Sequence, residues 1–159
     1  MQPDVFGDLS QQNGVLARMR EIAFRGSLDE HQVGLARILR FKRNPSLIDA
    51  ALEFSNSIER ASEILIAEAL NVLVSQDLPI HTRALAARSL GHLICHYPAE
   101  SVSDFDVERV IESMVHVLSR LQPPMVKQAL FRAVSTARKS RAGRKGISPF
   151  SKVSPDPPA

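Results

Sequence analysis

This chain of 159 residues has no tryptophan, one tyrosine and only 5% aromatic residues. A core without large rings must be filled by Leu, Ile, Val and Ala, which supply most of the 44% apolar share and suit closely packed helices. Cysteine occurs once, as Cys95, so no disulfide can form within the chain, and a reducing, cytoplasmic compartment is the expectation. Residues 1–10 hold Asp4 and Asp8 and lack an apolar core of signal-peptide length. No uninterrupted apolar run approaches the roughly 20 residues that a membrane helix needs. Strand-like alternation is missing, and no Asn-Gly or Asp-Gly pair joins two β runs. There is no P-loop and no Gly-rich dinucleotide motif. With no convincing catalytic set, the sequence predicts a protein without enzymatic chemistry and without a cofactor.

What is present is charge asymmetry, helical periodicity and an internal repeat. Residues 1–137 carry 14 Lys/Arg against 16 Asp/Glu, a balance of −2, whereas residues 138–159 carry 6 against 1, a balance of +5. The formal net charge of +3 therefore belongs to the C-terminal segment and not to the body. Shifting the chain by 44 positions places Glu68 on Glu112, Leu70 on Met114, Leu73 on Val117 and Ser75 on Ser119. The same shift places Pro79 on Pro123, Arg83 on Lys127, Arg88 on Arg132 and Leu90 on Val134. A fixed-period match over residues 63–137 points to stacked repeats of a helical hairpin.

Seven helices are expected. The first covers 10–25, ended by Gly26 in a left-handed turn, after a loose N-terminal arm over 1–9. Ser27 and Glu30 have the spacing of a capping box that opens a second helix reaching residue 43, with Arg37, Arg40, Lys42 and Arg43 near its negative end. Asn44-Pro45 starts a third helix, over 45–56. A fourth, over 59–76, is apolar almost all round and is expected at the centre of the stack. Pro79 opens a fifth to residue 97, with Ala86, Leu90, Leu93, Ile94 and Tyr97 inward. A sixth begins after Ser103 or Asp104, with Val110, Ile111, Met114, Val117, Leu118 and Leu121 inward. Pro123-Pro124 opens the seventh, with Val126, Leu130, Val134 and Ala137 inward. Four of the ten prolines lie in 148–159, and residues 142–159 read as a basic, Pro-rich disordered tail.

Within this pattern, residues 77–91 resemble the second half of a HEAT repeat. Asp77 and Pro79 stand in the inter-helix turn, Arg83 near the helix start, Ala86-Ala87 in the middle and Leu90-Gly91 a turn later. The resemblance implies an all-α fold, a right-handed α-α superhelix of about three HEAT-like hairpins, armadillo-like in character, spanning 10–141. It also implies that small residues let the second helix approach its neighbour, and that the Arg pairs with the Asp of an adjacent turn. The copy at 121–135 is weaker, with Leu121 in place of Asp77 and Leu130-Phe131 in place of the Ala-Ala pair. A third, faint copy has Pro45 in place of Pro79 and Asp49 in place of Arg83. Proteins of this kind are mostly binding scaffolds; some bind nucleic acid, and a few have acquired lyase or other enzymatic activities.

Counting about 100° per residue sets His81, Arg88, His92 and Cys95 away from the core stripe of the fifth helix, and Gln128, Arg132 and Lys139 away from that of the seventh. Stacking sets Arg88 beside Arg132, a basic ladder suited to an acidic peptide, an acidic protein surface or a phosphate backbone; an ordinary solvated face would have the same composition. His92 and His96 stand at i and i+4 around Cys95, but a structural zinc site wants four ligands, and these three read as surface residues and not as a metal centre. Cys95 as a nucleophile would need a base placed by the fold, which sequence adjacency does not provide. Arg138, Arg141, Arg144 and Lys145 give the tail a salt-sensitive attraction for nucleic acid, an acidic membrane or an import receptor, with no aromatics interleaved for base stacking. The leading expectation is a scaffold or adaptor binding an acidic protein partner through the face of its second helices. A nucleic-acid-binding protein and a repeat-based lyase are the alternatives, and homodimerisation through an end of the stack is a further expectation.

Overall fold

The computed structural model describes residues 5–98 and 105–145. Among them are seven α-helices and no strand: α1 (Gln12–Arg25), α2 (Gln32–Arg40), α3 (Pro45–Phe54), α4 (Glu63–Val74), α5 (Ile80–Cys95), α6 (Val107–Ser119) and α7 (Pro124–Lys145). Single 3-10 turns at Leu28–His31 and Ser55–Ser57 complete the helical content. No helix among the described residues is long and apolar enough to cross a membrane.

Local chemistry sets most of the helix ends. Gly26 has φ 73°, a left-handed conformation in which its N–H reaches the Ala23 carbonyl while the Ser27 N–H reaches Ile22, so two orphan carbonyls of α1 are satisfied. The Asn44 side chain accepts from the Leu47 N–H at 3.3 Å, and Pro45 fills the first position of α3, where a missing N–H costs nothing. Ser62 caps α4 by accepting from Leu65, and Asp106 caps α6 by accepting from Glu108.

Several boundaries differ from expectation. Ser27 makes no side-chain cap, and Leu28–His31 winds as a 3-10 turn, because the neighbouring Asp29 carboxylate is drawn into long-range bonds with the N–H groups of Glu59 and Arg60. α2 stops at Arg40, where Phe41 leaves helical backbone angles, so Lys42 and Arg43 lie beyond it. α4 begins at Glu63 and not at 59, since residues 58–62 form a strap bonded to other elements. Ser103 and Asp104 lie outside the described residues, and the cap of α6 is Asp106. α7 continues to Lys145, past residue 141; the remainder of the tail expectation, residues 146–159, lies outside the described residues. The loose arm expected over 1–9 is corrected from Val5 onward. Phe6 and Leu9 are buried, and Arg37 donates to the Gly7 carbonyl at 2.7 Å, whereas residues 1–4 lie outside the described residues.

The core is mostly aliphatic and continuous from Phe6 to Ala137. Consecutive helices pack as pairs, α2 on α3, α4 on α5 and α6 on α7, and alternate helices also touch: α1 on α3, α3 on α5, α5 on α7, α2 on α4 and α4 on α6. The most extensive packing is between α5 and α7. The expected inward sets of α5 and α7 are buried throughout. On α6 the inward set holds through Val117, but Leu118 is only half-buried and Leu121 is fully exposed, at 102% of its reference area. α5 is more enclosed than α4: ten of its sixteen residues are buried, including Thr82, Arg83 and Ser89, against five of twelve in α4, where Ile64 and Val74 face outward. Apolarity alone does not set enclosure. Small residues let α5 receive α3, α4 and α7 at close range, and its few polar side chains are satisfied within the interior.

Candidate functional site

α5 and α7 are in close contact where Gly91 meets Ala133. A Cβ built on Gly91 would lie 3.1 Å from the Ala133 Cβ and 3.2 Å from its Cα. Toward their N-termini the two helices are separated by a groove of about 450 Å³, lined by His81, Ala84, Leu85 and Arg88 of α5 and by Met125, Gln128, Ala129 and Arg132 of α7. Its floor is apolar, made by the buried Ala84 and Ala129 and the half-buried Leu85, with the exposed Met125 also in the lining. Its rim carries both arginines, and none of the eight lining residues is acidic. Arg88 and Arg132 are exposed, and no ion pair with a described residue engages either. His81 is held at the margin by Asp49 of α3, whose Oδ2 lies 2.7 Å from His81 Nε2 and whose Oδ1 accepts from Thr82 Oγ1 at 2.6 Å.

Of the six residues expected on the binding face, His81, Arg88, Gln128 and Arg132 line this single groove. Lys139 is exposed on α7 about two turns beyond Arg132 and does not line it. His92 does not face outward: it is half-buried, and its Nε2 donates to the Ile58 carbonyl at 2.9 Å. Among the tail residues, Arg141 belongs to α7, is half-buried and pairs with Glu108 at 3.4 Å, and Arg138 is exposed on the same helix. Arg144 and Lys145 fall on its last turn. The apolar floor was missed by reasoning that followed charges; its signal was the pair of small residues, Ala84 and Ala129, on facing helices.

The misplaced histidine has a different task. Residues 58–62 are bonded along their whole length. Asp29 accepts from the Glu59 and Arg60 N–H groups, and Gln32 donates to the Arg60 carbonyl and accepts from the Ser62 N–H. On the other side, the Ala61 N–H donates to the His96 carbonyl and His92 donates to Ile58. The His92 and His96 rings stack at 4.0 Å, and His96 Nδ1 donates to the His92 carbonyl. These bonds turn an irregular connection into a fixed start for α4. Cys95, between the two histidines, is half-buried with its Sγ 3.8 Å from the Thr136 carbonyl. No group of three or more His, Cys, Asp or Glu among the described residues is placed to hold a metal.

Burial pushes the His92 pKa below the ordinary imidazole value; the bond to Ile58 opposes the shift and His96 adds to it. The neutral ring is therefore the form the fold favours. The unfolded chain takes up its proton first, at about pH 6.5, so His92 lowers stability as pH falls from there through its lower folded value. The expected result is a melting temperature that declines between about pH 7 and pH 5, and a shallower decline in His92→Gln, measured by thermal circular dichroism across that range. An unchanged slope in the variant would remove His92 from the account.

No family model, no curated protein and no solved structure matches this chain.

Proposed function

We propose that this chain is a non-catalytic binding module, a short HEAT-like stack of about three helical hairpins with right-handed superhelical sense, and that it recognises an acidic segment of a protein partner in the α5/α7 groove. The carrying observation is the groove itself: two exposed arginines on one rim, a polar amide and an imidazole beside them, an apolar floor, and no acidic lining residue. A cationic groove with low-dielectric walls raises the local concentration of an anionic ligand, and the floor rewards an apolar side chain placed among the acids. The stacked reading is supported by the helix contacts, which follow both the hairpin pairs and the alternate helices. It is supported also by equivalent bonds 44 positions apart, from the Arg83 N–H to the Pro79 carbonyl and from the Lys127 N–H to the Pro123 carbonyl.

The test is an anisotropy titration of a labelled peptide carrying Glu and Asp around one Leu, run beside single-stranded and duplex oligonucleotides at two salt concentrations. Peptide binding is expected to weaken at least tenfold, on the order of 1.4 kcal/mol, in Arg88→Glu/Arg132→Glu, with helicity unchanged because both side chains are exposed. Retained peptide affinity in the double variant would move the site elsewhere. Tighter binding of the oligonucleotides, lost in the same variant, would replace the protein partner by a phosphate backbone.

A further inference from the structure

The α5/α7 groove is not the only open face of α7. Adjoining it, between α7 and the end of α6, lies a second depression of about 520 Å³, lined by Leu118, Pro124, Lys127, Gln128, Phe131 and Arg132, of which Gln128 and Arg132 also line the first. Phe131 is 64% exposed there, and Leu121, in the turn that precedes α7, is fully exposed.

The 44-residue register says what this face corresponds to. Ala84, Ala87 and Arg88 of α5 map onto Gln128, Phe131 and Arg132 of α7. On α5 this is the side turned to the next hairpin: Ala84 and Arg88 share the groove with α7, Ala87 is fully buried, and Gly91, one turn on, touches Ala133. Arg83 belongs to the same junction. Its Nε donates to the Leu73 carbonyl at 2.8 Å and its Nη2 crosses to Gln122, in the turn of the following hairpin, at 2.9 Å. Its counterpart Lys127 is exposed. The outer side of α7 thus has the layout of an internal helix–helix junction, with Phe in place of Ala. Apolar side chains gathered on one exposed face mark an interaction site, and this face presents an aromatic ring and the half-buried Leu118.

We infer that the outer face of α7 is a docking surface for an amphipathic helix of a partner protein that carries acidic residues beside an apolar stripe. The register supplies the helix, since α5 presents the matching positions to a helix of the next hairpin. Phe131 supplies the anchor: a ring too large for the close approach seen at Gly91 needs a gap between side chains of the incoming helix. Charge supplies the sign. Lys127 and Arg132 flank the depression, and no acid lines it. A second copy meeting the same face would set Lys127 and Arg132 against their own equivalents, so the partner is a different chain.

The experiment uses the full chain and three labelled synthetic peptides of about four helical turns. One carries Leu at i, i+3, i+4 and i+7 flanked by Glu; the second has every Glu changed to Lys; the third has every Leu changed to Ser. The acidic amphipathic peptide is expected to bind, and both control peptides to bind at least tenfold more weakly. Phe131→Ser should weaken the acidic amphipathic peptide at least tenfold and leave the one-Leu acidic peptide of the α5/α7 groove unchanged, because Phe131 does not line that groove, which separates the two sites. The side chain of Phe131 is mostly exposed, so its loss leaves the fold intact, and circular dichroism checks this. Absence of binding, equal binding of the Lys peptide, or retained binding of the acidic amphipathic peptide in Phe131→Ser would each overturn the inference. So would sedimentation showing a dimer of the unaltered chain that Phe131→Ser dissociates, which would give the face to a second copy.

Discussion

Gly91→Leu is expected to destabilise the protein by about 3 kcal/mol, the upper part of the range for overpacked sites. At Gly91 even a methyl group would meet the Ala133 Cβ at 3.1 Å and, more seriously, its Cα at 3.2 Å. The Cα is backbone and cannot rotate aside. A leucine needs several times that room, so α7 must lift from α5 along the most extensive helix contact in the molecule. For the roughly 135 described residues the loss corresponds to a fall of about 10 °C in melting temperature. Urea unfolding followed by far-ultraviolet circular dichroism measures it directly. The same variant should also weaken acidic peptides in the α5/α7 groove, because the groove's width is set by this contact. A Gly91→Leu protein as stable as the parent would mean that α5 and α7 do not cross here.

The second large effect is expected at Arg83. Its side chain is 6% exposed, an unusual place for a guanidinium, and burial lowers its pKa from the ordinary arginine value. Two bonds compensate. The Leu73 carbonyl belongs to the last turn of α4, which has no intrahelical partner to offer it, and Gln122 ties the following turn to the same group. Gln122 in turn donates to the Val117 carbonyl near the end of α6, so one guanidinium ties together the C-terminal ends of α4 and α6. Arg83→Ala removes a charge-assisted donor pair and leaves buried acceptors unmet, a loss of about 2–3 kcal/mol. Arg83→Met keeps the apolar stem and isolates the polar part, and it should recover less than half of the loss. Full recovery in the Met variant would show that the stem, and not the fork of donors, matters.

Arg83 also makes its link to a different partner from the one expected. The Arg near the start of a second helix was expected to reach the turn Asp of an adjacent repeat. It does cross to the adjacent turn, but to Gln122, because the Asp77 position is occupied there by Leu121. In the earlier hairpin Asp49 replaces the Arg and reverses the polarity of the link, accepting from Thr82 and His81. The connection between neighbouring hairpins is kept with different chemistry at each junction.

Much of this was legible in the residues alone. Periodicity gave seven helices, since a 3.6-residue apolar stripe has few other ways to be buried. Local signals gave Gly26 as a left-handed stop, Asn44-Pro45 as a start, and the buried stripes of α5 and α7. The 44-residue register placed Arg88 and Arg132 on equivalent positions, and both line one groove. Each of these follows from interactions within about a turn of helix, or from a repetition that the chain carries openly.

The tertiary structure decided what depends on distant partners. The Ser27/Glu30 cap did not form, Asp29 accepts instead from backbone amides about thirty residues away, and His92, outward by angular counting, turned to the Ile58 carbonyl once residues 58–62 were laid beside it. Phe6 and Leu9, in a segment with no helical pattern, found the core. Leu121, apolar and in register with the inward set of α6, was left in solvent with Phe131 beyond it. The reason is the same in each case: sequence spacing fixes the direction of a side chain about its own helix axis, and only the packing of other helices decides whether that direction meets protein or water.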